Sequence, residues 1–378
     1  MLIAVPKETA PGERRVGLIP DIAARLIKAG HTIRIERGAG TSAGFPDDAY
    51  TSAGASVLER PALYDGVDLV VRVGRPTDAE LNELAPGTAL VGILAPLGDP
   101  RYVEALAAHK LRALSMDTIP RITRAQSMDV LSSQSNIAGY KAVILAAEHL
   151  PKFFPMLTTA AGTIAPARVL ILGAGVAGLQ AIATARRLGA VVSGYDVRAV
   201  VKEQVQSLGA SFLEFDLGGD AEGKGGYAKE LTPEQAERQR QWMADHIGNS
   251  DVVIPTALVP GRKAPILITE DAVRKMRPGS VIVDVAADAG GNCAVTVPGE
   301  VAVVHGVTIV GTKNLPATMP LHASQLYSRN VLAFLDAIVK DGKLNLDRND
   351  EIVRDTLLTE NGEILHAPTK EALAGGRT

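Results

Sequence analysis

From Arg168 to Arg198 the chain reads RVLILGAGVAGLQAIATARRLGAVVSGYDVR, and few local structures accommodate it. Val169 to Leu172 is a short apolar run suited to a buried parallel strand. Gly173, Gly175 and Gly178 then form G-x-G-x-x-G where strand passes into helix. The first glycine allows a tight turn, the second lets a pyrophosphate approach the backbone, and the third lets the helix pack against the strand. The helix start offers partial positive charge and unpaired N–H groups, which suit phosphate. The helix runs to about Leu188 and stops at Gly189. A second strand, Val191 to Tyr195, ends at Asp196. A carboxylate there can accept from both hydroxyls of an adenosine ribose and repels a 2′-phosphate. Arg198, two residues on, weighs the other way. The unit is read as a dinucleotide site that prefers NAD(H).

The rest of the chain reads as two α/β domains. Its 378 residues exceed what one core usually serves. Leu2 to Val5, His31 to Glu36, Leu69 to Val73, Ala89 to Leu94 and Arg112 to Met116 read as strands. The helices Ile22 to Lys28, Asp78 to Leu84 and Arg101 to His109 fall between them, which implies a parallel sheet. After the fingerprint come strands Ser211 to Phe215, Val252 to Pro255, Val281 to Val285 and Thr308 to Val310, with helices Gln235 to Ile247 and Glu270 to Met276. Met128 to His149 reads as a long helix between the domains, and His322 to Val339 as a last helix that returns to the first. The expected architecture is α/β, with two Rossmann-like doubly wound parallel-sheet domains flanking a ligand cleft. Residues 1–132 with 318–378 form the first domain, and 133–317 the second, NAD-binding one.

Composition excludes several classes. A net charge of −3 gives no electrostatic case for nucleic acid. No apolar run approaches the ~18 residues that span a bilayer, and MLIAVPKE is no signal peptide. The single cysteine, Cys293, forbids an internal disulfide, fits a reducing cytoplasm and is expected as a small buried apolar side chain. None of the histidines has metal-ligand spacing such as H-E-x-x-H, so no metal is expected.

Two further segments carry chemistry. Residues 216–230, DLGGDAEGKGGYAKE, cannot bury much apolar surface; with Tyr227 within it, the segment is expected to be a lid over ligand. The run PRITRAQSMDVLSSQSNIAGY, Pro120 to Tyr140, is dense in Arg, Gln, Asp, Ser and Asn. Read as a helix, Gln126, Asp129 and Ser132–Ser133 share one face that could order a carboxamide and a ribose.

With RITRAQSMD-LSSQSN-AGY, then MLTTAAGT, the glycine fingerprint, DVRA, GGYAKE and TAL-PG, the chain resembles domain I of proton-translocating NAD(P) transhydrogenase, the NAD(H)-binding alpha-1 type subunit. The likeness runs from IAVPKE to the helix near residue 340. More distantly the chain is similar to alanine dehydrogenase, which shares the PKE opening and an Arg like Arg15. That family carries a catalytic Lys in K-V-K-E-P and a catalytic His in F-L-H-L. The matching segments here are RVGRP and GILAPL, so Gly74 stands at the lysine position and Ala95 at the histidine position. Oxidative deamination needs a general acid–base. Hydride transfer between two nicotinamides moves no proton at carbon and needs only two rings held at about 3–3.5 Å with water excluded.

The resemblance implies roles residue by residue. Arg121, Gln126, Asp129 and Ser132 would surround the nicotinamide end of NAD, with Gln126 orienting its ribose and facing the second nucleotide. The backbone of Ala174 to Val176 would hold the pyrophosphate, and Asp196, Val197 and Arg198 the adenosine ribose. Gly226 and Tyr227 match the lid; Leu258 would lie against nucleotide, and Gln239 sits in a segment that diverges from the family. NADP(H) would be bound by a partner subunit and protons conducted by a separate membrane-spanning subunit. The chain would work as a homodimer, cytoplasmic and peripheral at the inner face of the membrane. Two rival readings are a soluble NAD-dependent amino-acid (alanine-type) dehydrogenase and a non-enzymatic NAD sensor.

Overall fold

A computed structural model describes residues 1–215, 233–258, 261 and 263–375. The chain divides into two compact units, Met1–Gln134 with Pro316–Thr378, and Ser135–Leu315.

Among the described residues the first unit holds an eight-stranded sheet. From edge to edge the strands are Glu363–Ile364, Leu357–Glu360, Arg112–Ser115, Ala89–Gly92, Leu69–Val71, Leu2–Val5, Thr32–Glu36 and Ser56–Leu58. The last six pair in parallel. Successive side chains alternate between two cores: Ile3 and Val5 join one and Ala4 the other, as Leu69 and Val71 oppose Val70. Apolar residues on both faces explain why these strands read as continuous hydrophobic runs. The helix Pro320–Ile338 does return to this unit, with Tyr327, Val331, Phe334 and Leu335 buried in the same core as Ile3 and Leu18.

The second unit has a seven-stranded sheet among the described residues, in the order Ser211–Phe212, Val191–Tyr195, Arg168–Leu172, Val252–Pro255, Val281–Val283, Val307–Val310, Val301–Val304. Val169 and Ile171 face one core, Leu170 and Leu172 the other. Both sheets are therefore doubly wound α/β sheets.

Three strands depart from the sequence reading. Leu357–Glu360 and Glu363–Ile364 add antiparallel to the first sheet, and Val301–Val304 adds antiparallel to the second. Each is short and joins an edge, where pairing with a distant strand decides the conformation. The long helix begins at Val130, after a separate 3₁₀ turn over Thr123–Met128.

Candidate functional site

In the second unit the strand Arg168–Leu172 ends at Gly173, whose φ of 103° only glycine tolerates well. A Cβ on Gly178 would stand 1.8 Å from the Gly173 carbonyl oxygen, and one on Gly173 would stand 2.6 Å from Thr256 Oγ1. Those two glycines are fixed by contact within the protein. Gly175 differs: a Cβ there would meet nothing within 4 Å. It caps the helix Val176–Arg187, with no side-chain cap and no acid in the first turn. The helix start is thus left with open space and N–H donors, a cradle of the size and polarity that a pyrophosphate fits.

Asp196 follows the neighbouring strand. Its Oδ2 accepts the Ala174 N–H at 2.8 Å, which ties the acid directly to the glycine turn. Arg198 donates its backbone N–H and Nε to Oδ1, at 2.9 and 3.0 Å, and Nη2 to Oδ2 at 3.0 Å. Burial disfavours the carboxylate charge, but the Arg198 guanidinium and the two N–H groups outweigh it and hold the Asp196 carboxyl below its ordinary range. The arginine that weighed against Asp196 in the sequence is its ion-pair partner. Val197 is 67% exposed and Leu258 51% exposed, so both apolar side chains are open to a ligand. Gln239 donates to Tyr195 Oη at 2.6 Å, one residue before Asp196, and Tyr195 packs on Trp242. Gly226 and Tyr227, with the expected lid, lie outside the described residues.

In the first unit the polar run does not form one helical face. The 3₁₀ turn Thr123–Met128 carries Gln126, exposed, and Asp129 breaks the path at ψ 92°. Asp129 instead caps the following helix: its Oδ1 accepts the Ser132 N–H at 2.9 Å, and Ser132 Oγ donates to Oδ2. Asp129 and Ser132 are therefore joined, while Arg121 and Gln126 stand exposed on the preceding segment. Ser133 and Gln134 point elsewhere, Ser133 to Asn330 at 2.7 Å and Gln134 to the Ala323 carbonyl at 3.1 Å, both on the helix Pro320–Ile338. An aspartate before a helix competes as an N-cap, which is why the continuous-helix reading fails here.

Sequence reading passed over the loop after Val281–Val283. The Asp284 carboxylate, fully buried, accepts N–H groups from Ala286, Asn292 and Cys293 at 3.0–3.1 Å and the Thr296 hydroxyl at 2.6 Å. Asn292, also fully buried, pairs with both backbone groups of Ala257. The GGN triplet was the available signal, since consecutive glycines at positive φ mark a tightly folded loop. Cys293 is buried as expected, and burial pushes its thiol up to about 11. Among the described residues no helix is long and apolar enough to cross a membrane, and no group of His, Cys, Asp and Glu could hold a metal ion.

Two family models cover most of the chain: alanine dehydrogenase/PNT, N-terminal domain, over residues 4–138, and alanine dehydrogenase/PNT, C-terminal domain, over residues 142–367. The chain belongs to the alanine dehydrogenase/PNT family. Within the family it is 48% identical to the first part of the NAD(P) transhydrogenase alpha subunit of Rhodospirillum rubrum, over 97% of this chain and 98% of that one. A solved transhydrogenase from Sinorhizobium meliloti superposes with a TM-score of 0.86 at 40% identity, covering 97% of this chain and 99% of that one. A solved L-alanine dehydrogenase superposes at 0.83 with 28% identity and 99% coverage of each chain. The dehydrogenase branch makes three positions worth locating. Arg15 donates to Glu13 through Nε and Nη2, at 2.8 and 2.6 Å, and to Gln134 through Nη1 at 2.8 Å. At Gly74 a Cβ would lie 3.7 Å from Glu8 Oε2, and Ala95 holds a φ of 46°. Neither of these last two residues has a side chain able to move a proton.

Proposed function

We propose that this chain binds NAD(H) at the glycine turn of its second unit and passes hydride directly to NADP+ held by a partner subunit. The observation that carries the reading is the open space over Gly175 beside two glycines locked by contact, at the start of an uncapped helix. When bound, NAD(H) supplies the hydride. The chain's own residues bind and orient it. The turn amides of Ala174 to Val176 hold the pyrophosphate. Asp196, with Val197 and Arg198, takes the adenosine ribose. Arg121, Gln126, Asp129 and Ser132 order the nicotinamide end, and Gly226, Tyr227, Gln239 and Leu258 close around the nucleotide.

The likeness to a transhydrogenase alpha subunit that is itself divided into separate chains supports the division of labour. In it, a partner subunit holds NADP(H), a membrane-spanning subunit conducts protons, and this chain works as a homodimer at the inner, cytoplasmic face. Positions 74 and 95 favour nicotinamide-to-nicotinamide transfer, which needs ring proximity and no acid–base at carbon. Arg15 favours the second reading, an alanine-type dehydrogenase, because a guanidinium suits a substrate carboxylate; its bonds to Glu13 weigh against that use.

The test is NADH fluorescence titration of the chain, then addition of an NADP-binding transhydrogenase subunit and a nicotinamide-analogue acceptor. NADH binding with hydride exchange only after the partner arrives is expected. NADH oxidation by pyruvate and ammonia without a partner would instead make the chain an amino-acid dehydrogenase. In the same assay Gln126→Asn should slow hydride transfer about a hundredfold while the NADH dissociation constant stays within about twofold. A collapse of affinity would make Gln126 a plain binding residue.

A further inference from the structure

Asn292 sits in no ligand-facing position, yet it is fully buried and every polar atom of its side chain is used on two other loops. Its Oδ1 accepts the Ala257 N–H at 3.0 Å. Its Nδ2 donates to the carbonyls of Ala257 and Pro265, at 2.9 and 2.8 Å. The amide thus copies the pairing of a β-strand neighbour and fixes both backbone groups of Ala257. One residue earlier, the Thr256 hydroxyl donates to the Gly173 carbonyl at 3.0 Å. That carbonyl belongs to the turn whose amides face the open space over Gly175. One residue later stands Leu258, 51% exposed.

The other end of this chain of contacts is equally rigid. Asp284 receives the N–H groups of Asn292 and Cys293 and the hydroxyl of Thr296. A Cβ on Gly291 would stand 2.7 Å from Asp284 Oδ2, so the loop closes on the carboxylate only with glycine there. A buried charge with this many donors stays in one geometry, because moving it strands several polar groups at once.

We propose that Asn292 is a positioning residue for the nucleotide. Through Ala257 and Thr256 it sets the separation between the glycine turn and the segment carrying Leu258, and Asp284 anchors it. The inference rests on the NAD(H) reading given above. It distinguishes two loops that merely touch from two loops whose spacing is set by one amide, and only the second makes affinity depend on a residue remote from the ligand.

Two substitutions test it. Asn292→Asp keeps the shape but turns the Nδ2 donor into an acceptor facing two carbonyls. Thr256→Val keeps the volume and removes the hydroxyl that reaches Gly173, and Thr256→Ser restores that hydroxyl. NADH affinity is read from the midpoint of a fluorescence titration, which reports folded protein alone. Melting temperature without nucleotide is read in parallel. Asn292→Asp should raise the NADH dissociation constant roughly tenfold and Thr256→Val severalfold, with Thr256→Ser near wild type. Lower melting temperatures with unchanged NADH affinity in both variants would make the network purely structural and overturn the proposal. If Asn292→Asp yields no folded protein, the Thr256 pair decides alone. Failure of the wild-type chain to bind NADH would overturn the NAD(H) reading and this inference with it, a result separable from variants that bind as wild type does.

Discussion

Asp196 shows how one side chain holds a nucleotide loop together before any nucleotide enters. Its two oxygens receive four donors: the Ala174 N–H and three groups of Arg198. A carboxylate offers about four acceptor positions, so a ribose hydroxyl must take the place of an Arg198 bond. Arg198 is half exposed and can give way at small cost. The same bonds have a pH signature. Because they hold the Asp196 carboxyl below its ordinary value, their stabilisation is present above the unfolded-state pKa, about 3.9 for an aspartate, and fades as pH falls through the lower folded value. The melting temperature of wild type should therefore drop more steeply than that of Asp196→Asn as pH falls below about 4. Parallel melting curves in acid would show that the bonds do not favour the ionised form.

At the scale of elements, strand, turn and helix assign the three fingerprint glycines different duties. Gly178→Ala drives a Cβ into the Gly173 carbonyl, so it should destabilise the chain by about 3 kcal/mol or more. Gly175→Ala meets no atom and has a φ of −76°, so its stability cost should be within about 1 kcal/mol. Its methyl group enters the cradle, however, and NADH affinity should fall at least about tenfold. Thermal melts and titrations of the two variants separate the duties; Gly175→Ala binding as wild type does would put the pyrophosphate elsewhere. A third contact escaped the sequence. Gly139, inside the helix Val130–His149, would set a Cβ 2.1 Å from the Ala177 carbonyl, and that is how this helix comes close to the start of Val176–Arg187. The spacing of the fingerprint announces its own glycines, whereas a lone glycine in a helix announces nothing until the partner helix is known.

At the scale of the whole molecule, the residues from Pro316 onward belong with the first strands. Tyr327, Val331, Phe334, Leu335 and Ile338 are buried among Ile3, Val5 and Leu18, a contribution on the order of 10 kcal/mol of apolar burial. Ser324 and Ser328 extend the join by accepting the Val16 and Ile19 N–H groups at 3.0 Å. A chain ending at Leu315 should lose amide-exchange protection in Leu2–Val5 and Leu69–Val71; retained protection there would mean the first unit folds without its returning helix. Such long-range closure is where sequence and structure divide. The parallel strands, the fingerprint, Asp196 and the dinucleotide expectation were legible because each depends on a local pattern: apolar runs, glycine spacing, an acid at a strand end. The antiparallel edge strands, the break at Asp129 and the Asp284–Asn292–Ala257 chain were not. Each exists only because segments far apart in sequence meet and satisfy one another's buried polar groups, and no local pattern records which partner a hydrogen bond will find.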